Sequence, residues 1–178
     1  MSFNRRNLLS SALIAGATVP TVSLARHNHG SMDGPLSNAV VSFGAWPAGG
    51  EAPVDRITTP NPGGANIHQL LPSRTTIKKG GSVNFVVAGF HVVTVYGPGT
   101  KPADINATDT IALPGAPAGL PPVINDPTNR VYRGFNPVGA PQDRVEVVQF
   151  SEVGTYLVIC AFLPHFQDEM WGFVRVIP

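Results

Sequence analysis

Short runs of β-branched and aromatic residues, separated by segments rich in glycine and proline, recur along the chain from about residue 39 to the C-terminus. Runs of this length and composition are typical of β-strands. The pattern predicts seven strands, at residues 39–43, 74–77, 82–88, 91–96, 144–150, 154–160 and 172–177. Because a sandwich of two sheets uses about seven short strands, we predict an all-β fold.

The alternation of apolar and polar positions is clearest in the two central runs. Apolar side chains occupy positions 83, 85 and 87 of the first run, and those at positions 93 and 95 of the second share a face with His91. Successive side chains of a strand point to opposite faces, so each run offers one face to a core. A hairpin that turns at Gly89 would join the two runs and would place His91 at the beginning of the second strand.

The composition agrees with short strands joined by many turns. Charged residues make up 13% of the 178 residues, while glycine occurs 19 times and proline 18 times. This length is enough for one domain with a substantial core and is short for two. The range 97–143 is dominated by proline, glycine, asparagine and aspartate, so we predict that it is a long, partly extended loop insertion.

The distribution of charge argues against binding to nucleic acids. The first 25 residues contain two arginines and no acid, so the rest of the chain carries 10 basic and 11 acidic residues, a net charge of −1. Without a basic stripe, the chain has too few cations to neutralise phosphates. The apolar stretch near the N-terminus is too short to span a bilayer, and we expect a soluble, monomeric mature protein.

The first 25 residues have the features of an export signal. Arg5 and Arg6 precede a weakly apolar stretch, and the small residues at 23–25 resemble a cleavage site. The paired arginines are a partial match to a twin-arginine signal. We predict that residues 1–25 are a cleaved export signal, that residues 26–37 are a flexible polar tail, and that residues 38–178 are the domain of a periplasmic or secreted protein.

Cys160 is the single cysteine of the chain, although exported proteins ordinarily use cysteines in disulfide pairs. It ends a predicted strand, and His165 and Met170 follow it at intervals of five residues. A strand that leads into a tight loop can bring these side chains to one point, and His91 can supply a second imidazole. A thiolate, two imidazoles and a weak thioether suit copper that cycles between Cu(I) and Cu(II). We therefore predict one copper ion bound by His91, Cys160, His165 and Met170.

These residues and the segments around them resemble the cupredoxins, or blue copper proteins. The resemblance runs through residues 77–85, 89–93 and 154–156 and the spacing from Cys160 to Met170. It implies a Greek-key β-sandwich for residues 39–178 apart from the insertion, one type 1 copper site and a function in electron transfer. The chain departs from this pattern in the 97–143 insertion and in the acidic residues at 168 and 169, which precede Met170.

The resemblance leaves three functions to compare. An electron carrier would dock a redox partner on apolar residues near His165, namely Phe162, Leu163, Phe166 and Trp171. The same copper ligands could instead store or deliver copper without redox turnover. A copper oxidase or reductase module is disfavoured, because those enzymes place a histidine beside the copper cysteine, whereas Ile159 and Ala161 flank Cys160. We expect an electron carrier and no enzymatic activity.

The remaining three histidines are predicted to have ordinary roles. His68 is expected to make a polar contact, and His27 and His29 lie in the predicted polar tail, where we expect them to be solvated.

Overall fold

The computed structural model describes residues 37–45 and 67–178, and within these two ranges it contains eleven strands and one short helix. The strands are β1 (Asn38–Ala45), β2 (Ile67–Leu71), β3 (Arg74–Lys78), β4 (Ser82–Val87), β5 (Val93–Tyr96), β6 (Thr110–Ile111), β7 (Val123–Ile124), β8 (Arg130–Arg133), β9 (Arg144–Gln149), β10 (Gly154–Cys160) and β11 (Trp171–Ile177). The helix α1 is Leu163–Gln167. The predicted export signal, and the predicted tail up to residue 36 with His27 and His29, lie outside the described residues.

Two sheets form the body of the fold. The four-stranded sheet has the order β2-β1-β4-β9, and the five-stranded sheet has the order β3-β11-β10-β5-β8. Neighbouring strands are antiparallel, except that β1 pairs with β4 and β3 pairs with β11 in parallel. The chain crosses between the sheets on either side of β3, from β4 to β5, and on either side of β9. All seven predicted strands are present, and the prediction of an all-β, Greek-key sandwich is confirmed.

The core consists of the side chains that the two sheets turn toward each other. Strand β4 follows the predicted alternation, because Val83, Phe85 and Val87 are buried while Val86 between them is 41% exposed. The ring of Phe85 meets that of Phe43 from β1 edge to face, with centroids 6.0 Å apart. Full burial of such a side chain contributes about 1.5–3 kcal/mol to folding, so these positions fix which face of β4 points inward.

The predicted hairpin through Gly89 is wrong, because β4 and β5 belong to different sheets. Residues 88–92 cross from one sheet to the other, and His91 lies two residues before β5 begins. An alternating pattern is the same whether the next strand pairs with the first or faces it across the core, so the sequence could not separate these cases. His91 nevertheless lies at the entrance to its strand and is buried.

The segment 97–143 was predicted to be a loop insertion, and most of it lies outside strands and helices, but it also includes short elements that were not predicted. The segment contains β6, β7 and β8 and a 3-10 turn at Pro102–Asp104. Strand β8 pairs with β5 and forms one edge of the five-stranded sheet. Strands of two to four residues between prolines and glycines are too short to produce a recognisable alternation, which is why the sequence pattern did not reveal them.

The same segment covers the outer face of the five-stranded sheet. All four residues of β5 are buried, and so are Leu157 and Ile159 of β10, which point away from the core between the sheets. The segment adds its own buried residues to this cluster, and the Tyr96 hydroxyl donates a hydrogen bond of 3.1 Å to the Asp126 carbonyl. The strand that ends in Cys160 is therefore held between two apolar layers. The members of the second layer are Ile105, Leu113, Val123 and Ile124.

No helix in the described ranges is long and apolar enough to cross a membrane.

Candidate metal site

His91, Cys160 and His165 converge on one point inside the protein. The Sγ atom of Cys160 lies 3.7 Å from Nδ1 of His91 and 3.5 Å from Nδ1 of His165, and the two Nδ1 atoms are 2.9 Å apart. Three donors placed trigonally at about 2.0–2.3 Å from one ion would be separated by about 3.5–3.7 Å. Two of the three separations match that range and the third is shorter. The arrangement can hold one small metal ion.

Backbone hydrogen bonds between the elements fix these donors. The Cys160 N–H donates to the carbonyl of Met170 over 2.9 Å, and the Met170 N–H donates to the carbonyl of His165 over 2.9 Å. The Ala161 N–H donates to the carbonyl of Val92, beside His91, over 2.9 Å. The loop from β10 through α1 to β11 is thus closed on itself and tied to the segment that carries His91.

The ionisation of the three donors depends on their burial. Burial raises the pKa of the Cys160 thiol to about 12, while hydrogen bonds from backbone N–H groups lower it to a smaller extent. Burial, followed by repulsion from His165, lowers the pKa of His91 to about 3. Burial, followed by repulsion from His68, lowers the pKa of His165 to about 4. Both imidazoles are therefore neutral near pH 7 and can donate lone pairs, whereas the thiol would ionise only with a cation beside it.

The second ring nitrogen of His91 is enclosed by the protein. Nε2 is buried without a hydrogen bond of acceptable geometry, although the Ala88 carbonyl is near enough to raise the pKa of His91 slightly. Gly44 of β1 packs against this nitrogen at a φ of +83°, and a Cβ atom there would collide with Nε2. The packing leaves Nδ1 as the nitrogen of His91 that faces the other donors.

Met170, the fourth predicted ligand, is fully buried and is tied to Cys160 and His165 by the two backbone hydrogen bonds above. The preceding residue, Glu169, has a φ of +61°, the left-handed conformation with which helices commonly end. This conformation turns the chain from α1 into β11 and brings Met170 back toward the end of β10. The fit of the donor set to copper rests on one thiolate and two imidazoles, with Met170 as the available thioether.

His68 contacts the site, which the sequence did not predict. Its ring stacks on that of His165 with centroids 3.7 Å apart and an interplanar angle of 29°. Its Nδ1 lies 2.7 Å from Oδ2 of Asp168, and the His68 side chain is 36% exposed. His68 belongs to strand β2, which the sequence pattern did not predict. Asp168 lies 100 positions further along the chain, so no local pattern could indicate that the two side chains meet. His68 forms the outer cover of His165, which is 8% exposed.

Aromatic residues line the rest of the site. The ring of Phe162 meets His165 with centroids 4.7 Å apart and meets Phe90 at 5.1 Å, and Phe162 is buried. The other predicted docking residues are half-buried against the core, namely Leu163, Phe166 and Trp171.

Comparison with known proteins identifies similar folds among solved structures. No family model and no curated protein matches the chain. Among solved structures, an auracyanin from the photosynthetic bacterium Roseiflexus castenholzii is 16% identical, with a TM-score of 0.49 over 82% of this chain and 100% of its own. A pseudoazurin from Methylobacterium extorquens is 21% identical, with a TM-score of 0.36 over 78% of this chain and 74% of its own. A purple cupredoxin from Nitrosopumilus maritimus is 13% identical, with a TM-score of 0.35 over 78% of this chain and 99% of its own.

At these identities and TM-scores, the assignment of the site rests on its own donor atoms. One group of three or more closely spaced His, Cys, Asp or Glu side chains occurs in the described ranges, and it consists of His91, Cys160 and His165. The described part of the chain is a β-sandwich of two sheets with a buried His–Cys–His donor set that fits copper.

Proposed function

We propose that this protein binds one copper ion through His91, Cys160 and His165, with Met170 as a weak axial ligand, and carries single electrons between redox partners. The observation that supports this proposal is the convergence of one Sγ and two Nδ1 atoms of buried side chains within 3.7 Å of one another. Copper bound there would supply the one-electron Cu(II)/Cu(I) couple.

The protein contributes rigidity and the exclusion of water. The strand that ends in Cys160 is packed on both faces, and the loop that follows is closed by the hydrogen bonds to Met170. Donors held in this way move little when the charge of the site changes by one, which keeps the reorganisation of the site small. His165 lies nearest the surface, so we place the contact with partners on the half-buried apolar residues around it, with His68 exposed at the edge.

The test of this function is the spectrum of the purified, copper-loaded protein together with its redox kinetics. We expect an intense blue absorption band, reversible reduction and fast electron self-exchange. Storage or delivery of copper through the same ligands is the second candidate. A site that retains Cu(I) and resists oxidation would favour delivery and would contradict electron carriage.

We propose that the site does not belong to a copper oxidase or reductase. Ile159 and Ala161 flank Cys160, so no histidine beside the thiolate is available to connect this site to a second copper centre. Both flanking residues are buried, and the Ala161 carbonyl accepts a hydrogen bond from Ile124 of the covering segment.

Met170 offers a test of the axial position. Met170→Leu should retain copper and the blue colour and raise the reduction potential, because it removes a donor and leaves a drier site. Met170→Gln should lower the potential, since an oxygen donor stabilises Cu(II). We expect the two variants to differ by at least about tenfold in relative affinity for Cu(II) over Cu(I), which corresponds to about 59 mV for one electron. Voltammetry with parallel copper analysis measures both; equal potentials in the two variants and the unmodified protein would assign Met170 to the core alone.

We further propose that the protein is exported through its N-terminal signal and acts in the periplasm or outside the cell. The full chain, expressed in a bacterium, should be recovered outside the cytoplasm with Arg26 as its first residue, as N-terminal sequencing would show. Replacement of Arg5 and Arg6 by lysine should block export by the twin-arginine route, and unimpeded export would indicate the general secretory route. Retention of the unmodified chain in the cytoplasm would contradict the location.

A further inference from the structure

A buried ion pair lies directly behind the His91 segment. The Nη2 atom of Arg144 is 2.6 Å and its Nε atom is 2.7 Å from Oε1 of Glu146. The Tyr132 hydroxyl donates to Oε2 of the same carboxylate over 2.9 Å. The Glu146 side chain is 0% exposed and that of Arg144 is 9% exposed. Gly134 contacts the carboxylate so closely that a Cβ atom there would collide with it. The space for the Glu146 carboxylate therefore depends on a glycine at position 134.

A buried ion pair of this kind is a weak source of stability. Removing two charges from water costs several kcal/mol per ion, and apolar replacements of similar volume are often neutral or stabilising by about 1–4 kcal/mol. The position of Glu146 strengthens the point, because it shares the inward-facing parity of β9 with Val148, where an apolar side chain would ordinarily lie. The pair therefore calls for a role other than stability.

The contacts of the pair lead to His91. Nη2 of Arg144 donates a hydrogen bond of 2.8 Å to the backbone carbonyl of His91. The neighbouring Asp143 accepts a hydrogen bond of 3.2 Å from the Gly89 N–H with its Oδ1 atom. The beginning of β9 thus holds the segment 88–92 at two points. The charge of Arg144 also reaches the donor atoms, because it lowers the pKa of both His91 and Cys160, though less than burial shifts either.

We propose that Arg144 is a positioning residue for the metal site: held by Glu146 and Tyr132, it fixes His91 through its backbone carbonyl and places positive charge next to the donors. The effect of the charge rests on the proposed function, since a positive charge near the donors favours the less charged Cu(I) form over Cu(II). The positioning effect does not depend on copper, because the same contact holds the His91 ring in its donor orientation in the metal-free protein.

The test replaces both charges at once, so that neither is left buried without its partner. In the variant Arg144→Met/Glu146→Leu, the ring signals of His91 in the NMR spectrum of the metal-free protein should shift and broaden more than those of the neighbouring His165. In the copper-loaded protein, the affinity for Cu(II) relative to Cu(I) should rise although both charges are removed, because Arg144 is the member of the pair that contacts the His91 carbonyl and acts on both donors. The expected rise is about tenfold, which lowers the potential by about 59 mV. The matched control is Lys79→Met/Glu152→Leu, which removes the exposed ion pair with an N–O distance of 3.4 Å and should leave both readouts unchanged.

A second variant separates position from charge. Arg144→Lys keeps the positive charge but loses the planar guanidinium group that contacts Glu146 and His91 together. It should therefore disturb the His91 signals. It should change the affinity ratio less than the double variant does, because the charge remains. Unchanged His91 signals in either folded variant would overturn the positioning role, even if stability fell. If the unmodified protein binds no copper, the proposed function fails, and the NMR measurement on the metal-free protein still decides the role of Arg144.

Discussion

The variant Cys160→Ser is expected to lose the blue charge-transfer band completely, because only a thiolate donates strongly enough to Cu(II) to produce it. Serine has nearly the volume of cysteine, so the packing around this fully buried position should survive. We expect the free energy of unfolding of the metal-free variant to change by only about 1 kcal/mol. Visible absorption at full copper loading, with denaturant unfolding of the metal-free form, measures both quantities.

A control at a neighbouring buried position separates the ligand from its surroundings. Thr94 of β5 pairs with Ile159, and its hydroxyl is buried without a hydrogen-bond partner. Thr94→Val removes that hydroxyl without touching the three donors, so it should keep the band and should not reduce stability. A blue Cys160→Ser protein, or a colourless Thr94→Val protein with full copper content, would contradict the assignment of Cys160 as the thiolate ligand.

The strands that form the sandwich could be predicted where one face is buried and the other exposed. Strand β4 shows this directly, since its buried and exposed positions alternate as the sequence does. Strand β5 could be located, but the burial of its outer face could not be predicted, because the segment 97–143 covers that face while the other sheet covers the inner one. An alternating pattern carries no information about a second layer formed by residues that are distant in sequence.

Three of the four predicted ligands could be expected to lie close together because they belong to one short loop. Cys160, His165 and Met170 are joined by a strand end and a single helix, so their spacing in the sequence limits their spacing in the fold. The predicted convergence of His91 with Cys160 and His165 is present although the predicted hairpin was wrong, since a turn and a crossing between sheets both leave His91 next to the beginning of β5. His68 could not be identified, because its contact with His165 arises only when β2 joins the opposite sheet.

The network of Arg144 could not be predicted from the pattern of β9. Glu146 lies between Val145 and Val147 in the sequence, and an alternating pattern would place the two valines inside and the glutamate outside. The structure has the opposite arrangement, because Val145 and Val147 are 56% and 61% exposed while Glu146 is 2% exposed. The contacts of Arg144 with Glu146 and with the carbonyl of His91 therefore appear only in the fold.

The two histidine ligands are expected to respond differently when the ring is removed and imidazole is added. His165→Gly and His91→Gly should both lose the blue band, because each leaves a coordination position vacant. Imidazole should restore the band more readily in His165→Gly, since His165 lies nearest the surface under the partly exposed His68. His91 is 1% exposed, and Gly44 closes the space around its Nε2.

We expect half-recovery of His165→Gly at an imidazole concentration about tenfold lower than that for His91→Gly, equivalent to about 1.4 kcal/mol of binding free energy. Titration with imidazole, followed by visible absorption and copper analysis, measures the two recoveries. Gln167→Gly, an exposed position in the same helix as His165, controls for loosening of α1 by glycine and should stay blue without imidazole. If imidazole restores neither variant, these histidines do not bind the metal through exchangeable positions. If both recover at the same concentration, the depth of the two rings does not control access to the site, and His68 is not the cover that we describe.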